Sequence, residues 1–62
     1  MLMLIQEPPS GQNLEAFNAL DDTFGADEFS EAQGIETLSQ YFGEEGTPYL
    51  SRLIQGGYVS EV

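Results

Sequence analysis

Apolar side chains along the chain recur at an interval that changes from one stretch to the next. At the start, Leu2, Met3, Leu4 and Ile5 run without a break until Pro8-Pro9-Ser10-Gly11, whose prolines and glycine interrupt both ladder and helix. Residues 2–6 read as a strand. Further on, Leu14, Phe17, Leu20 and Phe24 return at helical spacing, with Glu15, Asn18 and Asp22 on the opposite side. Asn13 is placed to cap this helix and Gly25 to end it. Ser30 and Gln33 then spell an S-x-x-Q capping box ahead of Ile35, Leu38 and Phe42, and Gly43 follows as a stop. Thr47-Pro48 announces a third helix of about nine residues, a cap residue and a proline at the first helical position. It carries Leu50, Leu53 and Ile54 before Gly56-Gly57. The tail sets Tyr58, Ser60 and Val62 against Val59 and Glu61, and its β-branched and aromatic content favours a strand.

Two short strands make a ribbon that is marginal in water unless helices cover one face, so the terminal segments are expected to pair over three packed helices. The fold class this predicts is α+β, in one domain spanning residues 1–62. A chain of 62 residues buries only about 60% of the surface its unfolded form exposes, which leaves little room for an enclosed cleft. It has no cysteine and no histidine, so neither disulfides nor thiolate or imidazole zinc ligands can staple it. An apolar core of this size seldom supplies more than about 3–5 kcal/mol. No internal repeat or low-complexity tract divides it.

Charge narrows the function further. The stretch "DDTFGADEFSE" gathers five carboxylates within residues 21–31 without one cation, and the whole chain sets eleven Asp and Glu against a single Arg52, for a net charge of −10. In an average domain about a quarter of the residues are charged, so about seven bases would stand where this chain has one. Such a surface repels phosphates, because binding to nucleic acid or to anionic lipid begins with Lys and Arg displacing counterions. Direct nucleic-acid binding and membrane binding are therefore not expected. The start "MLMLIQEPP" has no basic segment and too short an apolar run for a secretory signal or a membrane span, which predicts a cytoplasmic protein.

Catalysis finds few tools. Without histidine a Ser-His-Asp triad cannot form, no cysteine is present as a nucleophile, and no lysine completes a phosphate-binding loop. Paired carboxylates such as Asp21 with Asp22, or Asp27 with Glu28, have no pocket in which to do acid and base work. No enzyme activity is expected. The same acids fail as an EF-hand: counting from Asp21, the third and fifth positions are Thr23 and Gly25, the sixth is Ala26 and the twelfth is Ala32. No metal or other cofactor is expected.

Part of the acidity has a structural explanation. Glu28 and Glu31 flank the start of the second helix and Glu44 and Glu45 precede the third, where negative charge is favoured by about 0.3–1 kcal/mol each. That accounts for positions and leaves the missing lysines unexplained. A halophilic adaptor domain would also be acidic and lysine-poor, to stay solvated in brine. Here the low pI owes more to absent bases than to an excess of acids.

Imitation of nucleic acid explains both. Duplex DNA carries one charge per about 1.7 Å of axis, and Glu31 and Glu36 lie about 7.5 Å apart along a helix rising about 1.5 Å per residue. Asp21, Asp22, Asp27 and Glu28 would continue that row from the neighbouring loop, with Glu15 on the first helix and Glu44 and Glu45 on the far turn. Tyr49 is the aromatic candidate for a contact anchor, chosen from Phe24, Phe29, Tyr41 and Tyr49. In size, charge and single-domain build the chain resembles the small DNA-mimicking anti-CRISPR proteins of phages and mobile elements that act on type I surveillance complexes. The resemblance implies a stoichiometric protein inhibitor that occupies the basic groove where duplex enters the Cascade complex, in the host cytoplasm if phage-encoded. Like-charge repulsion predicts a monomer. The ending "YLSRLIQGGYVSEV" also resembles the close of a winged-helix domain, over about residues 30–62, although Glu44 and Glu45 stand where a DNA-reading helix would present cations.

Overall fold

The computed structural model describes residues 1–5 and 7–62. The element order is β1 (Leu2–Leu4), α1 (Gln12–Phe24), α2 (Glu31–Phe42), α3 (Thr47–Gln55) and β2 (Val59–Glu61). This is the α+β arrangement that the apolar spacing predicts, three helices with a two-stranded antiparallel sheet made from the two ends of the chain. Leu2 stands opposite Glu61, Met3 opposite Ser60 and Leu4 opposite Val59. The expected strand over residues 2–6 stops at Leu4, although the Ile5 amide still donates to the Tyr58 carbonyl at 2.9 Å. Position 6 lies outside the described residues.

Each helix shows why its local sequence chose it. α2 begins with the full capping box: the Gln33 amide donates to Ser30 Oγ at 3.1 Å and the Ser30 amide to Gln33 Oε1 at 2.8 Å. It ends on Gly43 in the left-handed region at φ 72°, where a side chain would be strained. α1 ends at Gly25 as the sequence suggests, but its start differs. Gly11, at φ 66° and ψ −142°, turns the chain into the helix, and no side chain caps it. Asn13 therefore lies inside the first turn instead of capping it. α3 is shifted likewise: Gly46 holds the cap position, and Thr47 and Pro48 are its first two residues. Gly46 belongs there because its Cα sits against α2, where an added Cβ would run into the Ile35 carbonyl and the Ser39 amide. Ser39 ties the turn, donating its hydroxyl to Ile35 O at 2.7 Å and accepting from the Gly46 amide at 2.8 Å.

Leu2, Leu4, Phe17, Leu20, Phe29, Leu38, Leu50, Leu53 and Val59 meet in one core, and among the described residues none that is charged or polar is buried. Phe29 joins the layers. Its backbone pairs with Leu2 on the free side of β1, and its ring stacks on Phe24 with centroids 4.6 Å apart. The ring edge fits over Gly34, where a Cβ would lie 3.0 Å away. Helix, turn, helix and strand follow one another over residues 31–61, and β2 pairs back onto β1 from the start of the chain.

Candidate functional site

All eleven carboxylates are exposed. The reason is local: each falls off the apolar stripe of its helix, in a connecting loop or, for Glu61, at the last position of β2, so none is drawn into the core. Along the chain they fall in clusters and not at even intervals. One group follows the end of α1 into the loop before α2, with Asp21, Asp22, Asp27 and Glu28. Asp22 borders the α1–α2 groove together with Thr23, Thr37, Gln40 and Tyr41. Glu36 reaches the same side, its carboxylate 3.5 Å from the Gln40 amide nitrogen.

Glu31 points elsewhere. Residues five apart on a helix are separated by about 140° around its axis at about 3.6 residues per turn, so Glu31 and Glu36 share an axial spacing and no common face. Glu31 borders the α2–α3 groove with Ile35, Leu50 and Ile54. It also lines a shallow depression with Met1, Leu2, Ser30 and Glu61. The row expected from Glu36 through Glu31 is thus broken at Glu31 by the helix's own twist.

Glu44 and Glu15 act on Tyr49. The Tyr49 hydroxyl donates to Glu44 Oε1 at 2.9 Å, and Arg52 lies over the Tyr49 ring at 5.6 Å from its centroid. The hydrogen bond to Glu44 holds the Tyr49 pKa above its ordinary value, helped by burial and by the charge of Glu44, with Arg52 opposing and Glu15 adding a smaller push the same way. Glu45 accepts from the Thr47 hydroxyl at 2.8 Å and so serves the start of α3. The single cationic side chain therefore lies over the ring whose hydroxyl bonds Glu44, far in sequence from Asp21–Glu28.

Tyr49 itself is only 9% exposed and stacks on Phe42 with centroids 4.0 Å apart, so its ring is a core contributor and not an outward anchor. The exposed aromatic is Tyr41, at 55%. Periodicity distinguishes the two: Tyr49, Leu50 and Leu53 share one face of α3, whereas Tyr41 precedes Phe42 and falls beside the stripe of Ile35, Leu38 and Phe42. Among the described residues no three acids are placed to share a metal ion, and no helix is long and apolar enough to cross a membrane.

No family model matches the chain, and no curated protein or solved structure matches it either. The reading of the surface rests on its own chemistry.

Proposed function

We propose that the protein is a stoichiometric inhibitor whose carboxylates stand in for the phosphates of duplex DNA and block target-DNA binding by a type I CRISPR surveillance complex. The observation that carries the reading is that every carboxylate side chain reaches solvent while the one cationic side chain lies over a tyrosine ring. Along its longest extent of 26 Å the domain carries a net charge of −10, about two thirds of the charge on the same length of duplex at one per about 1.7 Å. A field of that density steers association with a cationic groove and needs no chemistry to act. The Asp21, Asp22, Asp27, Glu28 and Glu36 group is the leading edge of the contact, and Glu31 engages from the adjoining side. The partner is the basic duplex-binding surface of the complex, and the inhibitor acts as a monomer in the host cytoplasm.

Replacing Asp21, Asp22, Asp27, Glu28, Glu31 and Glu36 together by Asn or Gln should abolish inhibition in a gel-shift assay of target-duplex binding by the purified complex, with the helical circular dichroism unchanged. Survival of inhibition in that variant sinks the mimicry. Binding of the wild type should weaken as salt rises, since exposed charges are screened beyond about 8–10 Å at ordinary ionic strength. Unfolding in dilute buffer with recovery at molar salt would instead mark the acids as an adaptation to brine.

A further inference from the structure

The α1–α2 groove offers more than the negative charge of Asp22. It is an open trough of about 290 Å³ lined by Ala19, Asp22 and Thr23 from α1 and by Thr37, Gln40 and Tyr41 from α2. Hydrogen bonds within each helix decide what it presents. The Thr23 hydroxyl donates to the Ala19 carbonyl at 3.0 Å, and the Thr37 hydroxyl donates to the Gln33 carbonyl at 2.9 Å. The Gln40 amide nitrogen turns to Glu36 Oε1 at 3.5 Å. What these groups keep for a visitor is acceptor capacity: the Asp22 carboxylate, the threonine hydroxyl oxygens and the Gln40 side-chain carbonyl. Tyr41 adds a different kind of contact. Its side chain is exposed, and the Phe42 ring meets it at 88° with centroids 4.9 Å apart, so the two are not stacked face to face. The chain's own cationic side chain is engaged elsewhere, Arg52 lying over the Tyr49 ring of α3.

We infer that the groove seats an arginine side chain of the cationic partner, its guanidinium forked on the Asp22 carboxylate and its plane against the Tyr41 ring. The lining selects this occupant. Threonine oxygens whose hydrogens are already given away call for a group that only donates, and a guanidinium carries N–H donors and no acceptor. The carboxylate matches its fork bidentately, which an ammonium cannot reproduce. An exposed ring attracts a flat, weakly hydrated cation more than a compact, strongly hydrated one. Phosphates are repelled by Asp22 and Glu36, and an apolar side chain would cover Asp22 and the threonine oxygens without bonding them. The inference rests on the proposed cationic partner and adds which of its side chains is recognised, and where. Long-range charge attracts any base, whereas this groove tells arginine from lysine.

Two peptides of equal length and charge test it, Gly-Arg-Gly-Arg-Gly and Gly-Lys-Gly-Lys-Gly, each blocked at both ends and titrated at low salt into the isotope-labelled full chain. The arginine peptide should bind about fivefold more tightly and shift the amide resonances of Thr23, Thr37 and Tyr41. Tyr41→Leu should lower its affinity to that of the lysine peptide, and Tyr41→Phe should keep the preference. Asp22→Asn should weaken both peptides and erase the difference between them. Asp22 and Tyr41 are exposed, so the circular dichroism of these variants should match the wild type. Equal binding of the two peptides, with shifts spread over the acidic surface, overturns the arginine seat and leaves the cationic partner standing. An arginine preference that survives in Tyr41→Leu puts the seat elsewhere and overturns the inference too. Failure of both peptides to bind at low salt overturns the cationic partner itself.

Discussion

Between Glu15 and Glu45 the chain carries nine of its eleven carboxylates, whereas the outer face of the β1–β2 ribbon carries none and exposes four apolar side chains. Both surfaces belong to one core, and they differ in how water and salt act on them. Anionic groups in high dielectric set the rate and the salt dependence of an encounter. Apolar contacts act at short range and lengthen the stay, which is where differences among related complexes usually lie. The two surfaces thus answer to different conditions, the acidic side to salt and the sheet face to short-range apolar contact.

The largest effect comes from breaking the joint between the two regions. Phe29 is fully buried, pairs with Leu2 and stacks on Phe24, and removing a buried Phe ring costs about 3–5 kcal/mol. That equals the whole stability such a core seldom exceeds, about 3–5 kcal/mol, so Phe29→Ala should be unfolded at room temperature by circular dichroism. A native spectrum would show that the helices stand without the sheet. A smaller loss follows from disturbing the helical side alone. Gly46→Ala forces a Cβ against the Ile35 carbonyl and within 2.8 Å of the Ser39 amide, backbone that cannot rotate away. Overpacking of this kind costs about 1–3 kcal/mol, which a urea titration would read as a lower midpoint.

The smallest effect is confined to alkaline pH. Tyr49 has a raised pKa in the folded protein, first because its hydroxyl donates to Glu44. A raised folded value means that the unfolded chain loses its phenolic proton first as pH climbs. The contribution to stability is whole below the ordinary phenol value of about 10 and is lost as pH rises through the folded value. Thermal melts should therefore fall more steeply above about pH 10 in the wild type than in Tyr49→Phe, and parallel curves would remove Tyr49 from the titration.

Much of the architecture was legible because its signals are local. The Ser30–Gln33 box, Gly25, Gly43 and the nine residues of α3 each follow from a side chain acting within one turn. The two helix starts that differ from expectation share a cause: Gly11 and Gly46 hold the cap positions through backbone conformation and close approach, with no capping side chain at Asn13 or Thr47. Candidate acids were identifiable as exposed, yet their grouping depends on helix azimuth, which separates Glu31 from Glu36. Tyr49 is marked as a core residue by its own spacing with Leu50 and Leu53. The apolar outer face of the ribbon was the least legible feature. Met1 to Ile5 reads as one continuous run, and only the pairing with β2 shows that its members divide between core and solvent.

The pairing of Leu2 with Glu61 joins opposite extremes of the polypeptide. Closing so long a flexible loop costs about 3–4 kcal/mol of chain entropy, and helices that pack beforehand shorten the search, as neighbouring α1, α2 and α3 can do through nearby contacts. The ribbon is accordingly the clasp of the molecule and fastens late. Until it does, the apolar outer face of the ribbon has no existence as a surface, and the nascent chain is a highly charged, well-solvated polymer.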